Sequence, residues 1–324
     1  MSALNNIGVV IIGRNEGKRI EKCVRSVLDS GAAFIYVDSN SSDNSVEIVT
    51  RTGANVMELD ISLPMSAARA RNEGFKWLIK NVHGLKYVHF IDGDCELDKS
   101  WLKLACEKLD SQDDIAVVCG RLREKNISKS IYTKLSDMAW YIRPGEVYSC
   151  GGIATIRVSI FKKLNGFDES LIAGEEPEFY LRVRKLGQRM FCIEENMGTH
   201  DSAMTSYSQW LTRSFRTGFS YANAARWGKW EQERRSFIFW GAIMPFLLII
   251  LMINKPLFAI LLFGIYPLQV VRIFGKLKIP YSGADRLIYS VFCVLDKFPE
   301  FCGYVKYHYN RLTSQTQTII EYKS

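Results

Sequence analysis

The chain has 324 residues, with 42 Lys plus Arg against 34 Asp plus Glu, a formal charge of +8. At 48% hydrophobic and 23% charged it has the composition of a protein with a core, which excludes an intrinsically disordered chain, and its length excludes one small disulfide-stapled module. The charge is unevenly placed: residues 1–204 hold 27 basic and 28 acidic side chains (−1), whereas residues 205–324 hold 15 and 6 (+9). Basicity confined to the last third is not the footprint of a nucleic-acid binder, so no nucleic-acid partner is expected.

The N-terminus runs straight into the apolar stretch Ile7 to Ile12, with no basic segment, apolar core and cleavage site in sequence. No secretory signal is therefore expected, and the N-terminal part is expected to work in the cytoplasm. The eight cysteines form no CxxC pair and have no zinc-like spacing with the four His residues, so they read as reduced, mostly buried thiols.

In chain order, Val9-Val10-Ile11-Ile12 predicts a buried strand ended by Gly13, and the spacing of Ile20, Cys23, Val24, Val27 and Leu28 predicts a helix over 16–30. Phe34-Ile35-Tyr36-Val37 is a second strand, closed by the turn-formers Asp38 to Asn44. A helical stretch over 44–52, a short strand at 55–59, a helix over 66–81 and the strand Tyr87 to Ile91 follow. This alternation predicts an α/β domain with a mainly parallel sheet, whose ligands bind beyond the carboxyl ends of the strands.

After residue 205 the pattern changes. Phe237 to Ile253 is seventeen residues without charge, and Leu257 to Val271 is another fifteen, separated by Asn254-Lys255-Pro256. A membrane helix needs about 20 apolar residues, so these runs are short for two full spans yet long for surface helices. They read as a membrane-embedded hairpin, spanning or re-entrant, or as a buried helical pair. Arg234 and Arg235 before it, with Arg272, Lys276 and Lys278 after it, set both ends on the cytoplasmic side. The segment from 285 to 311 reads as one amphipathic helix, lying in the membrane interface or packed on the hairpin. The expected division is a catalytic domain over 1–204, connecting helices over 205–235, the hairpin over 236–272 and an amphipathic helix and tail over 273–324.

Five polar constellations could carry chemistry. Asp92-Gly93-Asp94 ends an apolar strand, and two carboxylates released there can face a divalent cation and a diphosphate, or form a solvated turn. The loop from Asp38 can bind a nucleoside or cap the next helix, with Asp43 near the cap. Arg71 and Asn72 reach a phosphate or sugar hydroxyl, or belong to a solvated helix face. Glu175, Glu176 and Glu178 are crowded enough for one pKa to rise into the range of a general base; they equally suit a helix start beside Pro177. His200, between Thr199 and Asp201, is either structural or a metal ligand.

Together and in this order, these pieces resemble the family 2 glycosyltransferases, inverting enzymes on the nucleotide-sugar-binding GT-A fold. The matching residues are Val9 to Glu16, Val37 to Asp43, Ala70 to Gly74, Asp92-Gly93-Asp94, Gly151-Gly152, Gly166 to Glu169 and Gly174 to Glu176, spanning about residues 7–204. The resemblance implies that Gly13, Arg14, Asn15, Glu16, Asp38 and Ser39 hold the nucleotide, and that Arg71 and Asn72 contact the diphosphate or sugar. Asp92, Gly93 and Asp94 would meet a metal-diphosphate, with Mn2+ or Mg2+ on Asp94, Asp92 and His200. Glu176, with Glu175 as second candidate, would be the catalytic base. Gly151, Gly152 and Glu178 would lie on the acceptor side, and Arg213 and Arg216 partly match a motif that lies over the diphosphate.

The expected function is transfer of a sugar from a UDP- or GDP-linked donor to a lipid-linked or polysaccharide acceptor. The expected location is the cytoplasmic face of a membrane, whose anionic lipids meet the basic C-terminal third. The alternative is a catalytically silent nucleotide-sugar-binding or partner-binding membrane protein on the same fold. Self-association into a homo-oligomer is left open.

Overall fold

The computed structural model describes residues 4–224 and 231–313. In chain order the elements begin β1 (Ile7–Gly13), α1 (Lys18–Leu28), β2 (Ala33–Asp38), α2 (Ser45–Arg51), β3 (Val56–Glu58), α3 (Ala67–Asn81), β4 (Tyr87–Asp92), β5 (Cys95–Leu97) and α4 (Trp101–Ser111). They continue β6 (Ile115–Glu124), α5 (Ile131–Ala139), β7 (Gly145–Glu146), β8 (Ala154–Arg157), α6 (Val158–Lys163), α7 (Glu175–Lys185) and β9 (Arg189–His200). Among the described residues, seven α-helices follow: α8 (Tyr207–Ala224), α9 (Glu231–Ile238), α10 (Met244–Asn254), α11 (Pro256–Phe263), α12 (Ile265–Lys276), α13 (Gly283–Leu295) and α14 (Lys297–Leu312).

The chain divides into two units. The first comprises the described residues up to Ile127 together with Trp140–Ser202; the second comprises Ser128–Ala139 and the described residues from Ala203 onward. Helix α5 thus belongs to the second unit, although the residues on either side of it belong to the first.

In the first unit one sheet runs in the order β3-β2-β1-β4-β8-β6-β9-β5, with β7 paired to β9. The β1–β2, β1–β4, β2–β3 and β6–β9 pairs are parallel; β4–β8, β6–β8, β5–β9 and β7–β9 are antiparallel. The expectation of a mainly parallel sheet therefore holds for the β3-β2-β1-β4 half and gives way to a mixed half beyond it. Val9, Val10, Ile11, Val37, Val88 and Phe90 are buried because strands covered on both faces carry unbroken apolar runs. Each such side chain contributes roughly 1.5–3 kcal/mol of burial energy. Helix α3 lays Ala70 and Leu78, eight residues apart on one stripe, against this sheet, and Ser66 caps it by accepting from the Arg69 amide.

The chain goes from β1 outward to β2 and β3, then returns to place β4 on the other side of β1. The strand order reverses between β1 and β4, and a crevice opens beyond their carboxyl ends. The residues after β1 and β4, Arg14 to Glu16 and Gly93-Asp94, flank that point.

In the second unit, α8 and α14 cross closely: Gly218 lies against the Glu300 backbone and Gly303 against the Phe215 carbonyl, where no side chain would fit. Helix α5 joins this unit through polar side chains, with Tyr281 bonded to the buried Asp137, Lys134 paired with Asp285 at 2.8 Å, and Arg213 donating to the buried Ser136. The apolar runs become longer helices than their uncharged cores. One continuous helix spans Glu231–Asn254, with a π-turn at Phe239–Ile243, and a second spans Pro256–Lys276. The Tyr266 hydroxyl donates to the Trp240 carbonyl inside that π-turn, holding the two arms together. The single helix expected over 285–311 is two, α13 and α14, meeting at Asp296.

Candidate active site

The loops after β1 and β2 are locked to each other. The Asn15 amide donates to Ser41 Oγ at 2.9 Å, and Asn15 Oδ1 accepts from the Ser42 amide at 2.8 Å, with Asn15 in the left-handed region. The Glu16 and Gly17 amides both donate to Ser45 Oγ, and Gly17 also donates to Asp43 Oδ2. The Ser39 amide donates to the Gly13 carbonyl at 2.9 Å. Asp38 is fully buried and spent: Oδ1 accepts from the Tyr36 and Ser41 hydroxyls, each at 2.6 Å, and Oδ2 from the Ser41 amide at 2.7 Å. Glu16 pairs with Arg19 at 3.1 Å, while Arg14 is exposed. The cap of α2 is Asn44, with Asp43 one residue earlier bonded to the Ser45 amide.

Beyond β4 the two acids of Asp92-Gly93-Asp94 part company. The Gly93 amide donates to the Ile12 carbonyl at 2.7 Å, which fixes the turn between them. Asp92 Oδ1 lies 3.0 Å from Arg71 Nη2, and Arg71 Nη1 lies 2.7 Å from Glu175 Oε1. Glu176 Oε1 approaches the same guanidinium at 3.7 Å, with Phe167 against its face. Arg71 is thus ringed by three carboxylates. In this structure it is the counter-ion to Asp92 and to the acidic residues at the start of α7. Asn72 is likewise occupied: it bonds the Phe167 carbonyl and amide and the Glu169 carboxylate, clamping the 166–169 loop.

Glu175, Glu176 and Glu178 occupy the first turn of α7, as acids favour a helix N-terminus. They diverge from there. Glu175 is buried against Arg71; Glu178 is gripped at both oxygens by Arg182, each at 2.7 Å. Glu176 keeps 23% of its side chain exposed. Burial, and then the neighbouring Glu175 charge, push its pKa up to about 8 against the pull of Arg71. A carboxylate so placed accepts a proton readily near neutral pH. Gly152 lies beside it: a Cβ there would come within 2.6 Å of both Glu176 Oε1 and Arg71 Nη2, so any larger residue would have to push these two side-chain ends aside. The Gly151 carbonyl accepts from the Tyr180 hydroxyl at 2.6 Å.

Asp94 points to a second cluster. His200 ends β9, in register with Cys95 of β5 on one side and Glu124 of β6 on the other. Its Nε2 lies 3.1 Å from Asp94 Oδ2 and its Nδ1 lies 2.5 Å from Glu124 Oε1. Burial alone would lower the His200 pKa; the two carboxylates, Asp94 first, outweigh it and raise it to about 10. Ligand atoms of Asp94, Cys95 and His200 lie within 4.8 Å of one another. A carboxylate and an imidazole already converging, with the far ring nitrogen on a second carboxylate, fit a divalent cation. Sequence reading missed Cys95 and Glu124; the only signal for Glu124 is that it closes a strand. Arg213 and Arg216 lie on α8 in the second unit.

The family model described as Glycosyl transferase family 2 matches residues 8–164. No curated protein matches the sequence. The solved structure of the mannosyltransferase PcManGT from Pyrobaculum calidifontis, in complex with GDP-Man and Mn2+, is similar with a TM-score of 0.64 at 14% identity, covering 94% of this chain and 88% of that one. Glucosyl-3-phosphoglycerate synthase from Mycobacterium tuberculosis, with Mn2+ and uridine-diphosphate-glucose, has a TM-score of 0.47 at 16% identity, covering 70% and 80%. A structure of S. aureus TarS has 0.46 at 15%, covering 96% and 93%. The first likeness shows a shared fold; the other two are too distant to add to it.

Proposed function

We propose that residues 8–164, which match the family 2 glycosyltransferase model and share the fold of a solved mannosyltransferase, form a glycosyltransferase domain, and that the chain transfers a sugar, with inversion, from a UDP- or GDP-linked donor to a hydroxyl of a lipid-linked or polysaccharide acceptor at the cytoplasmic face of a membrane. The observation that carries this reading is the pairing of a partly exposed, high-pKa carboxylate at Glu176 with the Asp94–His200 pair in the first unit.

Glu176 takes the proton of the acceptor hydroxyl as its oxygen attacks the anomeric carbon from the face opposite the leaving nucleoside diphosphate. One displacement inverts configuration, through an oxocarbenium-like transition state. Arg71 holds Asp92 and Glu175 in place and leaves Glu176, at 3.7 Å, the most loosely paired of the three. The interlocked loops 13–17 and 38–45 shape the nucleotide pocket, and Gly152 leaves the acceptor a path to the base. Mn2+ or Mg2+ bound by Asp94 and His200 would supply positive charge against the departing diphosphate.

Membrane association rests on the second unit. The helices Glu231–Asn254 and Pro256–Lys276 are long and apolar enough to cross a membrane, with only 11% of the apolar window of each buried. At about 1.5 Å per residue both exceed a hydrocarbon core of about 30 Å. Phe246, Ile253, Leu257 and Leu261 are well exposed, which suits lipid rather than water. Arg234 and Arg235 at one end and Lys276 and Lys278 at the other keep both termini of the hairpin cytoplasmic.

The deciding experiment incubates the detergent-solubilised full chain with Mn2+ and a panel of UDP- and GDP-sugars in the presence of lipid-phosphate acceptors. Inverted product, lost on chelation and in Glu176→Gln, is expected. Retained anomeric configuration, or full transfer by Glu176→Gln, would overturn the reading.

A further inference from the structure

Glu124 has no part in the transfer as set out above, yet its side chain is wholly enclosed. It closes β6 beside His200, the last residue of β9. Oε1 faces His200 Nδ1 at 2.5 Å and accepts from Trp140 Nε1 at 3.0 Å; Oε2 accepts from the Ser202 amide at 3.2 Å. The Trp140 ring meets the imidazole edge-on, with centroids 5.3 Å apart, so the ring cannot swing out on that side. Burying a carboxylate costs several kcal/mol unless donors surround it. The three donors explain how Glu124 tolerates burial. The acid has a use that an amide lacks.

That use lies at the other ring nitrogen. Nε2 faces Asp94 Oδ2 at 3.1 Å, and it can share a cation with Asp94 only as a lone-pair donor, with the ring hydrogen on Nδ1. A carboxylate accepts only, so it admits just the Nδ1–H form; a glutamine could donate to Nδ1 and stabilise the opposite tautomer. We propose that Glu124 is a positioning residue for the divalent-cation site, holding His200 in the tautomer and orientation that present Nε2 beside Asp94, and that Trp140 and the Ser202 amide hold Glu124 in turn. This rests on Asp94 and His200 being the cation pair.

The test titrates the full-length protein in detergent with Mn2+ alone, followed by electron paramagnetic resonance, alongside a thermal melt of each variant. Glu124→Gln is expected to weaken Mn2+ binding on the order of 10–100-fold with the melt little changed. Wild-type affinity in Glu124→Gln would overturn the inference while leaving the cation site standing; absence of Mn2+ binding by the wild type would overturn the cation pair itself. Should Glu124→Gln fail to fold, nitrogen-15 spectra of His200 in the Mg2+-loaded wild type decide. A hydrogen on Nδ1 is expected, and one on Nε2 would overturn the assignment.

Discussion

On one side of the β4 exit, Asp92, Glu175 and Glu176 gather round the Arg71 guanidinium; on the other, Asp94 and Glu124 bracket the His200 imidazole. The difference lies in what each central base can give up. A guanidinium keeps its charge at any working pH and has no lone pair to offer, so the first cluster is a permanent cross-link. An imidazole can exchange a proton for a cation, so the second cluster is a site that can be filled. The first also holds three acids against one base, and burial, followed by the neighbouring Glu175 charge, leaves Glu176 willing to bind a proton. Two acids one residue apart therefore belong to different clusters, Asp92 to that of Arg71 and Asp94 to that of His200.

The comparison breaks most severely at Arg71. Arg71→Met strands three carboxylates, and a loss of about 3–5 kcal/mol in a denaturant melt, with activity abolished, is expected; a wild-type midpoint would mean that the cluster is held by something else. Next, Glu176→Gln should lower kcat by about 10²–10⁴-fold while calorimetry finds donor affinity unchanged, and Glu175→Gln should cost stability more than turnover. Across the tripeptide, Asp94→Asn should weaken Mn2+ by at least ~10-fold, whereas Asp92→Asn should leave Mn2+ affinity near wild type and lower the melt. Equal losses of Mn2+ in the two variants would erase the distinction between the clusters.

The smallest effect is on pH. Glu176 works as the carboxylate, so kcat/KM should climb about tenfold per unit as pH rises toward about 8 and level off above it. The stability sign is the opposite. Because folding raises this pKa above its ordinary value of 4.5, its contribution to stability is full below that value and is lost as pH rises through about 8. A profile flat from pH 6 to 9 would remove Glu176 as the base.

Apolar patterning made much of the frame legible. The runs at Val9 to Ile12, Phe34 to Val37 and Tyr87 to Ile91 became β1, β2 and β4, and the motif acids fall just past their ends. The family resemblance, the carboxylates at Asp94, Glu175 and Glu176, and two apolar helices flanked by basic residues also came from residue order alone. These are local properties, set by side-chain period and by what ends a strand or helix.

Tertiary structure decided which charge meets which. Arg71 meets Glu175 across 104 residues of chain, and Glu124 meets His200 across 76. Neither partner is written in spacing, because β9 pairs with β6 and α7 reaches α3 only once the sheet has closed in its mixed order. The same step spent Asp38 on its own loop and Asn72 on the 166–169 loop, moved α5 into the second unit, and carried the hairpin helices past their uncharged cores. Burial pattern is a property of the segment. The partner of a buried charge is a property of strand register and packing, since a charge enclosed away from water must find its counter-ion among whatever neighbours the fold supplies.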